Sequence, residues 1–362
     1  MRIAALALAL SVTAMAPAAT VSPTGRGIGP AKRLPLHVGG RVVASAGGLK
    51  RQWPGSYFEA SFRGREALMK IGAGDVTLNV VVDGAGVARL FKPQPGLYRI
   101  GDLGPGVHRI RVEVVSESQA GPTVFGGFFA TAPLPAPTRA RQIEFVGDSH
   151  TVGYGNTSTK SECTDAEVWA STDTSKGIAG ITGRRYDADY RVNAISGRGV
   201  VRNYNGFAAD KLPEAYPYVL FDKANRADDR DWRPQLYVVA LGTNDFTTPL
   251  HAGEKWANRD ALHADFERTY AAFLRRLKAQ SPAAHILVWA TDMADGEIAA
   301  EARRTVDRLR GEGMANIAFT SIAGLALSGC HAHPSIADDQ RIGQAIATYV
   351  DAHPGLWRRR GK

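Results

Sequence analysis

Apolar and polar positions change their rhythm twice along the chain, and that change divides it. Short runs compatible with strands occupy 41–43, 57–62, 76–82, 97–100, 107–115 and 123–129. In the third, Val76, Leu78, Val80 and Val82 alternate with Thr77, Asn79 and Val81, and Asp83-Gly84 follows as a hairpin turn signal. Strands spaced this closely, with no helical period between them, predict a β-sandwich over 33–131. Pro133, Pro135 and Pro137 then mark 132–140 as a stiff linker. From 141 to 356 apolar runs at 143–146, 190–195, 236–241, 286–290 and 317–319 alternate with helical patterns at 260–279, 295–311 and 335–351. That alternation predicts a parallel sheet covered by helices on both faces.

The first residues follow another rule. Met1-Arg2 precedes an apolar run from Ile3 to Val12, and Ala16 and Ala18 satisfy the small-x-small requirement for cleavage after Ala18. The expectation is a signal peptide over 1–18 and a secreted or periplasmic mature protein, since no later run approaches the length of a membrane span. Export permits a disulfide, and the two cysteines, Cys163 and Cys330, can form only one within the chain. Such a bridge would close a loop of 167 residues. The chain-entropy model values that closure at up to about 5 kcal/mol; two free buried thiols are the alternative.

Composition removes several function classes. The 44 basic and 35 acidic residues leave a charge of +9, spread along the chain except for the tail at Arg358–Arg360 and Lys362. A solvated tail explains that cluster, and no nucleic-acid module accompanies it. No phosphate-binding glycine loop and no zinc-like ligand spacing is present, so neither a cofactor nor a metal is expected.

In a parallel sheet the chemistry gathers beyond the carboxyl ends of the strands. Three ends are unusual: Gly147-Asp148-Ser149-His150, Ser196-Gly197-Arg198-Gly199, and Gly242-Thr243-Asn244-Asp245. A fourth element, His331-Ala332-His333-Pro334, opens the last helix. Singly these could be a helix cap, turn glycines and a loop. Together they supply a serine on a tight turn, an approachable backbone N–H, a side-chain amide and a distant histidine, which are the parts required for acyl transfer.

The order of these blocks resembles the SGNH hydrolases. With Trp53-Pro54-Gly55, the 147–156 stretch and the 196–203 stretch, nearly the whole mature chain is similar to carbohydrate esterase family two. The resemblance implies a two-domain protein, an all-β jelly-roll sandwich followed by an α/β/α SGNH domain with a flavodoxin-like parallel sheet. It implies an enzyme that removes O-acetyl groups from polysaccharide or oligosaccharide, such as acetylated xylan or glucomannan; apart from that substrate, a monomer with no nucleic-acid or membrane partner is the expectation. By the same resemblance Ser149 is the nucleophile and His333 the base. Ser149, Gly197 (with Gly199 as substitute) and Asn244 would form the oxyanion hole, and Asp148 and Asp245 would be structural.

The departure is at Cys330, where many SGNH enzymes carry an Asp three residues before the histidine. Asp292 is then the candidate orienting acid, or a backbone carbonyl serves instead. Tyr154, Trp169 and Tyr204, with Trp256 and Trp289, are candidate sugar contacts for each of which a core role is the alternative, and Trp289, within an apolar strand, reads most readily as core. An ordinary imidazole pKa at His333 would make activity fall below about pH 6.5. Two other readings remain open at this point: a glycan-binding protein with vestigial esterase chemistry, and an SGNH lipase or thioesterase.

Overall fold

The computed structural model describes residues 19–358; the expected leader lies outside them. Two antiparallel sheets pack face to face in the N-terminal half. One runs in the order Thr20–Pro23, Gly96–Gly101, Ala67–Ile71, Thr123–Ala130, Gly48–Arg51, Val43–Ser45, with Lys32–Arg33 beside Thr123–Ala130. The other runs Ala132–Pro133, Tyr57–Arg63, Val107–Val114, Thr77–Val82, Ala85–Phe91, with His37–Gly39 beside Tyr57–Arg63. The alternation at 76–82 has the expected consequence: Val76, Leu78, Val80 and Val82 face a core shared with Phe58, Phe62, Met69, Ile110 and Phe128.

The sandwich differs from the sequence reading in several features, among them the unforeseen strands Gly48–Arg51 and Ala67–Ile71. Strand Thr20–Pro23 pairs with Gly96–Gly101, so the sandwich begins before residue 33. Arg41 lies where the chain crosses between sheets, after His37–Gly39 and before Val43–Ser45, so 41–43 is not a strand as a whole. Its guanidinium leaves the sandwich to lie over the Tyr216 ring and pair with Asp229 at 2.8 Å. Strand Ala85–Phe91 is a largely exposed edge, which is why no alternation announced it.

The C-terminal half is a five-stranded parallel sheet ordered Ala188–Ala194, Arg141–Gly147, Leu236–Ala240, His285–Thr291, Ile317–Ile322. In chain order this is 2-1-3-4-5, the flavodoxin-like arrangement, whose order reverses between Arg141–Gly147 and Leu236–Ala240. Arg259–Gln280 and Glu297–Gly311 cover one face, with Leu262, Phe266, Phe273, Ala302 and Val306 in its core. Ile178–Arg185 and Ile336–Asp351 cover the other.

The halves are joined through a wide seam. Trp53, from the sandwich, is fully buried in the core of the parallel-sheet half, donates its Nε1–H to the Tyr218 carbonyl at 2.9 Å, and meets Phe221 edge-on. Asp189 accepts from Tyr57 Oη at 2.8 Å, His37 Nε2 at 2.7 Å and Arg139 at 3.1 Å. Residues 132–140 are docked along this seam: Ala132–Pro133 pairs with Tyr57–Arg63, and Arg139 reaches Glu59. Removing the Trp53 ring leaves a cavity in the partner half's core, which in comparable positions costs about 3–5 kcal/mol. Trp53→Ala is therefore expected to lower the melting temperature of the parallel-sheet half along with the sandwich in calorimetry; an unchanged transition would show that the seam contributes little.

Candidate active site

The sheet reversal opens a crevice at the carboxyl ends of Arg141–Gly147 and Leu236–Ala240, and the sequence blocks converge there. After Gly147 the chain turns at once into the short helix Ser149–Val152, so Ser149 stands at the start of a helix. Glycine is required at 147, because a Cβ there would lie 2.0 Å from Thr151 Oγ1 and 2.8 Å from the Ala240 carbonyl oxygen. Asp148 caps the helix, accepting from the His150 N–H at 3.1 Å. Burial pushes its carboxyl up to about 7.

Ser149 Oγ lies 2.8 Å from His333 Nε2. The other ring nitrogen, Nδ1, faces two backbone carbonyls, those of Cys330 at 2.9 Å and His331 at 3.0 Å. A carbonyl only accepts, so Nδ1 carries the proton and Nε2 presents its lone pair to the serine hydroxyl. Asp292 does not take part. It is exposed, and its carboxylate accepts from the Gly324 N–H at 3.1 Å, so it stabilises the loop after Ile317–Ile322 rather than orienting the imidazole.

The second block folds over this pair. Gly197 has φ +82°, which glycine tolerates best. Neither its N–H nor that of Ser149 meets a backbone or side-chain acceptor among the described residues. Gly199, by contrast, donates to Asn203 Oδ1 at 3.4 Å, which leaves Gly197 as the better-placed donor. Asn244 Nδ2 donates one hydrogen to the Arg198 carbonyl at 2.9 Å and retains a second. Asp245 accepts from the N–H groups of Val200, Val201 and Arg202 at 2.9–3.0 Å, and burial pushes its carboxyl up to about 6. Asp148 and Asp245 thus act as fixed acceptors for loop backbone.

Residues from the sandwich also reach the site. The Glu117 carboxylate accepts from the Ser196 N–H at 3.0 Å, and Gln119 donates to the Ser196 carbonyl at 3.2 Å. Ser196 is thereby gripped on both sides immediately before Gly197. Sequence reasoning missed these residues because no motif marks the loop that carries them. Beside them lies a cleft of about 590 Å³ between the halves, lined by Tyr154, Trp169, Lys92, Glu117 and Gln119.

Tyr154 joins that cleft to the histidine, its ring 4.3 Å from the His333 ring. Trp169 is half-buried under Phe91 and Lys92. Tyr204 is 52% exposed, and its N–H donates to the Gly197 carbonyl at 2.9 Å; Phe207, also missed, is exposed near Gly197. Trp289 is core, and Trp256 packs on the core with its Nε1–H on Asp265. Among the described residues no cluster of His, Cys, Asp or Glu has the makings of a metal site. Cys163 and Cys330 form a disulfide.

His333 departs from the expected titration. Burial, followed by the neighbouring His150 ring 5.5 Å away, lowers its pKa to about 3, and His150 itself is held down to about 4 by burial. With only neutral carbonyls at Nδ1, no carboxylate counters this loss of solvation.

A family model described as carbohydrate esterase 2 N-terminal matches residues 38–137, and one described as GDSL-like lipase/acylhydrolase matches 145–318. An acetylxylan esterase / glucomannan deacetylase of Cellvibrio japonicus is 39% identical over 335 residues, covering 90% of this chain and 93% of that protein. Among solved structures, a carbohydrate esterase whose active site is described as displaying divergent catalytic and non-catalytic binding functions matches with a TM-score of 0.85 and 38% identity, over 90% of this chain and 100% of that one. A family two carbohydrate esterase from Clostridium thermocellum in complex with cellohexaose matches with a TM-score of 0.77 and 26% identity, over 89% and 99%.

The lowered pKa is open to direct measurement. In a histidine-selective NMR titration the His333 ring should remain neutral, with its proton on Nδ1, to well below pH 6.5; a midpoint near that value would contradict the electrostatic account.

Proposed function

The chain belongs to carbohydrate esterase family two, and on that premise we propose that it removes O-acetyl groups from xylan, glucomannan or their oligosaccharides through an acyl-enzyme on Ser149. The observation that carries this reading is the 2.8 Å contact between Ser149 Oγ and His333 Nε2 at the sheet's switch point. Ser149 Oγ attacks the acetyl carbonyl while its proton passes to Nε2. The carbonyl oxygen becomes an oxyanion within reach of the Ser149 and Gly197 N–H groups and the second Asn244 Nδ2 hydrogen. Donors of this kind contribute about 3–4 kcal/mol each in other enzymes. The tetrahedral species collapses, the C–O bond to the sugar breaks, and the imidazolium gives its proton to the departing sugar oxygen, which leaves as the free hydroxyl. Water then attacks the acetyl-serine, with His333 as base, and acetate leaves.

The aromatic cleft beside Tyr154 supports a saccharide ligand, because Trp169 and Tyr154 offer flat apolar faces to sugar C–H groups while Glu117, Gln119 and Lys92 offer hydrogen bonds to hydroxyls. The disulfide supports export to an oxidising compartment. These features favour an esterase over a vestigial binding protein, since the pair is assembled for proton transfer.

Acetate release from acetylated glucomannan and xylan, and turnover of p-nitrophenyl acetate, should fall by at least about a thousandfold in Ser149→Ala. Retained turnover in that variant would remove the nucleophile assignment, and rates rising with acyl length would point to a lipase. In the wild type the acid limb of kcat/KM should lie below pH 6.5. The base works neutral, burial disfavours its charged form and so lowers its pKa, and activity therefore survives to more acidic pH. A limb at pH 6.5 would require an imidazole without that desolvation.

A further inference from the structure

The two carbonyls that orient His333 come from a turn that the backbone does not favour. Cys330–Ala332 is a single 3-10 turn in which His331 and Ala332 have φ of +53° and +57°. Left-handed geometry is unfavourable at a non-glycine residue, so two in succession require external support. The support comes from the segment 158–164. Its Cys163 is bonded to Cys330. Its Ser161 carbonyl accepts from the His331 N–H at 2.6 Å. Its Cys163 carbonyl lies 2.8 Å from His331 Nε2, while His331 Nδ1 lies 3.1 Å from Tyr154 Oη. The assignment is self-consistent: Tyr154 Oη donates to Nδ1, and Nε2–H donates to the carbonyl. The packing is close as well, because a Cβ on Gly155 would lie 2.4 Å from Cys330 Cβ.

We infer that the Cys163–Cys330 disulfide and the His331 side chain position the base for the reaction, by strapping segment 158–164 to the turn whose Cys330 and His331 carbonyls set the His333 tautomer. Neither group touches the reacting atoms; both are positioning residues. The inference rests on the Ser149–His333 reading and extends it. Where other enzymes of this type use a carboxylate, this chain uses two carbonyls held by a covalent tie and a second histidine.

The test is steady-state kinetics on the full chain at a temperature well below its melting transition. Excess dithiothreitol cleaves the S–S bond: two electrons pass to the protein, both cysteines become thiols, and the reagent leaves as its cyclic disulfide. Alkylation and mass measurement count the two thiols. With the bridge open, kcat should fall by about 10- to 100-fold, as expected for a displaced catalytic group. KM should stay within about twofold, because the glycan cleft is lined by residues outside the turn. Reoxidation should restore kcat, and a Cys163→Ala/Cys330→Ala double variant should match the reduced enzyme.

His331→Ala keeps the bridge and should also lose kcat, while His331→Gln, which can still donate to the Cys163 carbonyl, should recover much of it. That pair decides the matter if opening the bridge unfolds the protein. A fully reduced enzyme with unchanged kcat, or His331→Ala and His331→Gln equal to wild type, would overturn the strap while leaving Ser149 as nucleophile. Retained activity in Ser149→Ala would instead remove the reading on which the strap rests.

Discussion

In the proposed reaction His333 must accept a proton at Nε2 and so needs its own proton held at Nδ1, and here that requirement is met without a charge. The carbonyls of Cys330 and His331 enforce the tautomer as a carboxylate would, because each can only accept. What they omit is the negative charge that stabilises an imidazolium. Burial lowers the His333 pKa with no carboxylate to offset it, and the usual work of the third triad residue is thereby divided into two parts. Orientation is retained. Charge compensation has to arise elsewhere as the proton arrives, and the Tyr154 ring, 4.3 Å from the imidazole, is an environment that attracts a cation more than a neutral ring.

The geometry around this pair follows from sheet topology. Order 2-1-3-4-5 separates the crossovers on either side of Arg141–Gly147 and Leu236–Ala240, so the loops after those strands open toward the same crevice. Loops at a crevice lack ladder partners, and their N–H groups must find acceptors. Buried carboxylates supply them: Asp148 for the turn at Ser149, Asp245 for residues 200–202. Their raised pKa values record the desolvation each incurs by being placed there. Glu117 performs the same service for Ser196 from the other half of the molecule, and burial raises its carboxyl too.

Much of this was legible in the residues. Ser149, Gly197, Asn244 and His333 announce themselves by residue type at strand ends and a helix start, since tight turns and donor side chains demand particular residues. Strand and helix periods located the parallel sheet for the same reason. Which group orients His333 was legible only as an alternative: a carbonyl belongs to every residue and leaves no mark in composition, so the resemblance offered an unspecified backbone carbonyl while the residues themselves offered Asp292, which serves Gly324. The reach of Glu117 and Gln119 was hidden too, since it depends on how the two halves dock. The strand at Thr20–Pro23 was hidden because its pairing partner lies more than seventy residues away and its own residues carry no alternation.

Docking of the halves is consequently part of the site rather than a neutral attachment. One wall of the cleft is Trp169 and Tyr154, and the other carries Lys92, Glu117 and Gln119, so its width depends on the seam. Apolar burial of Trp53 supplies attraction but little directional information. Direction comes from the polar set: Asp189 receives Tyr57, His37 and Arg139, and Asp173, fully buried, receives Arg89 at 2.6 Å and Asn79 at 3.2 Å. Buried ion pairs of this kind add little net stability, because desolvation offsets much of their attraction, but a displacement that unpairs one is costly. A seam built this way resists sliding more than it resists unfolding. That is the property the proposed reaction would require of a cleft whose two sides hold a sugar against Ser149.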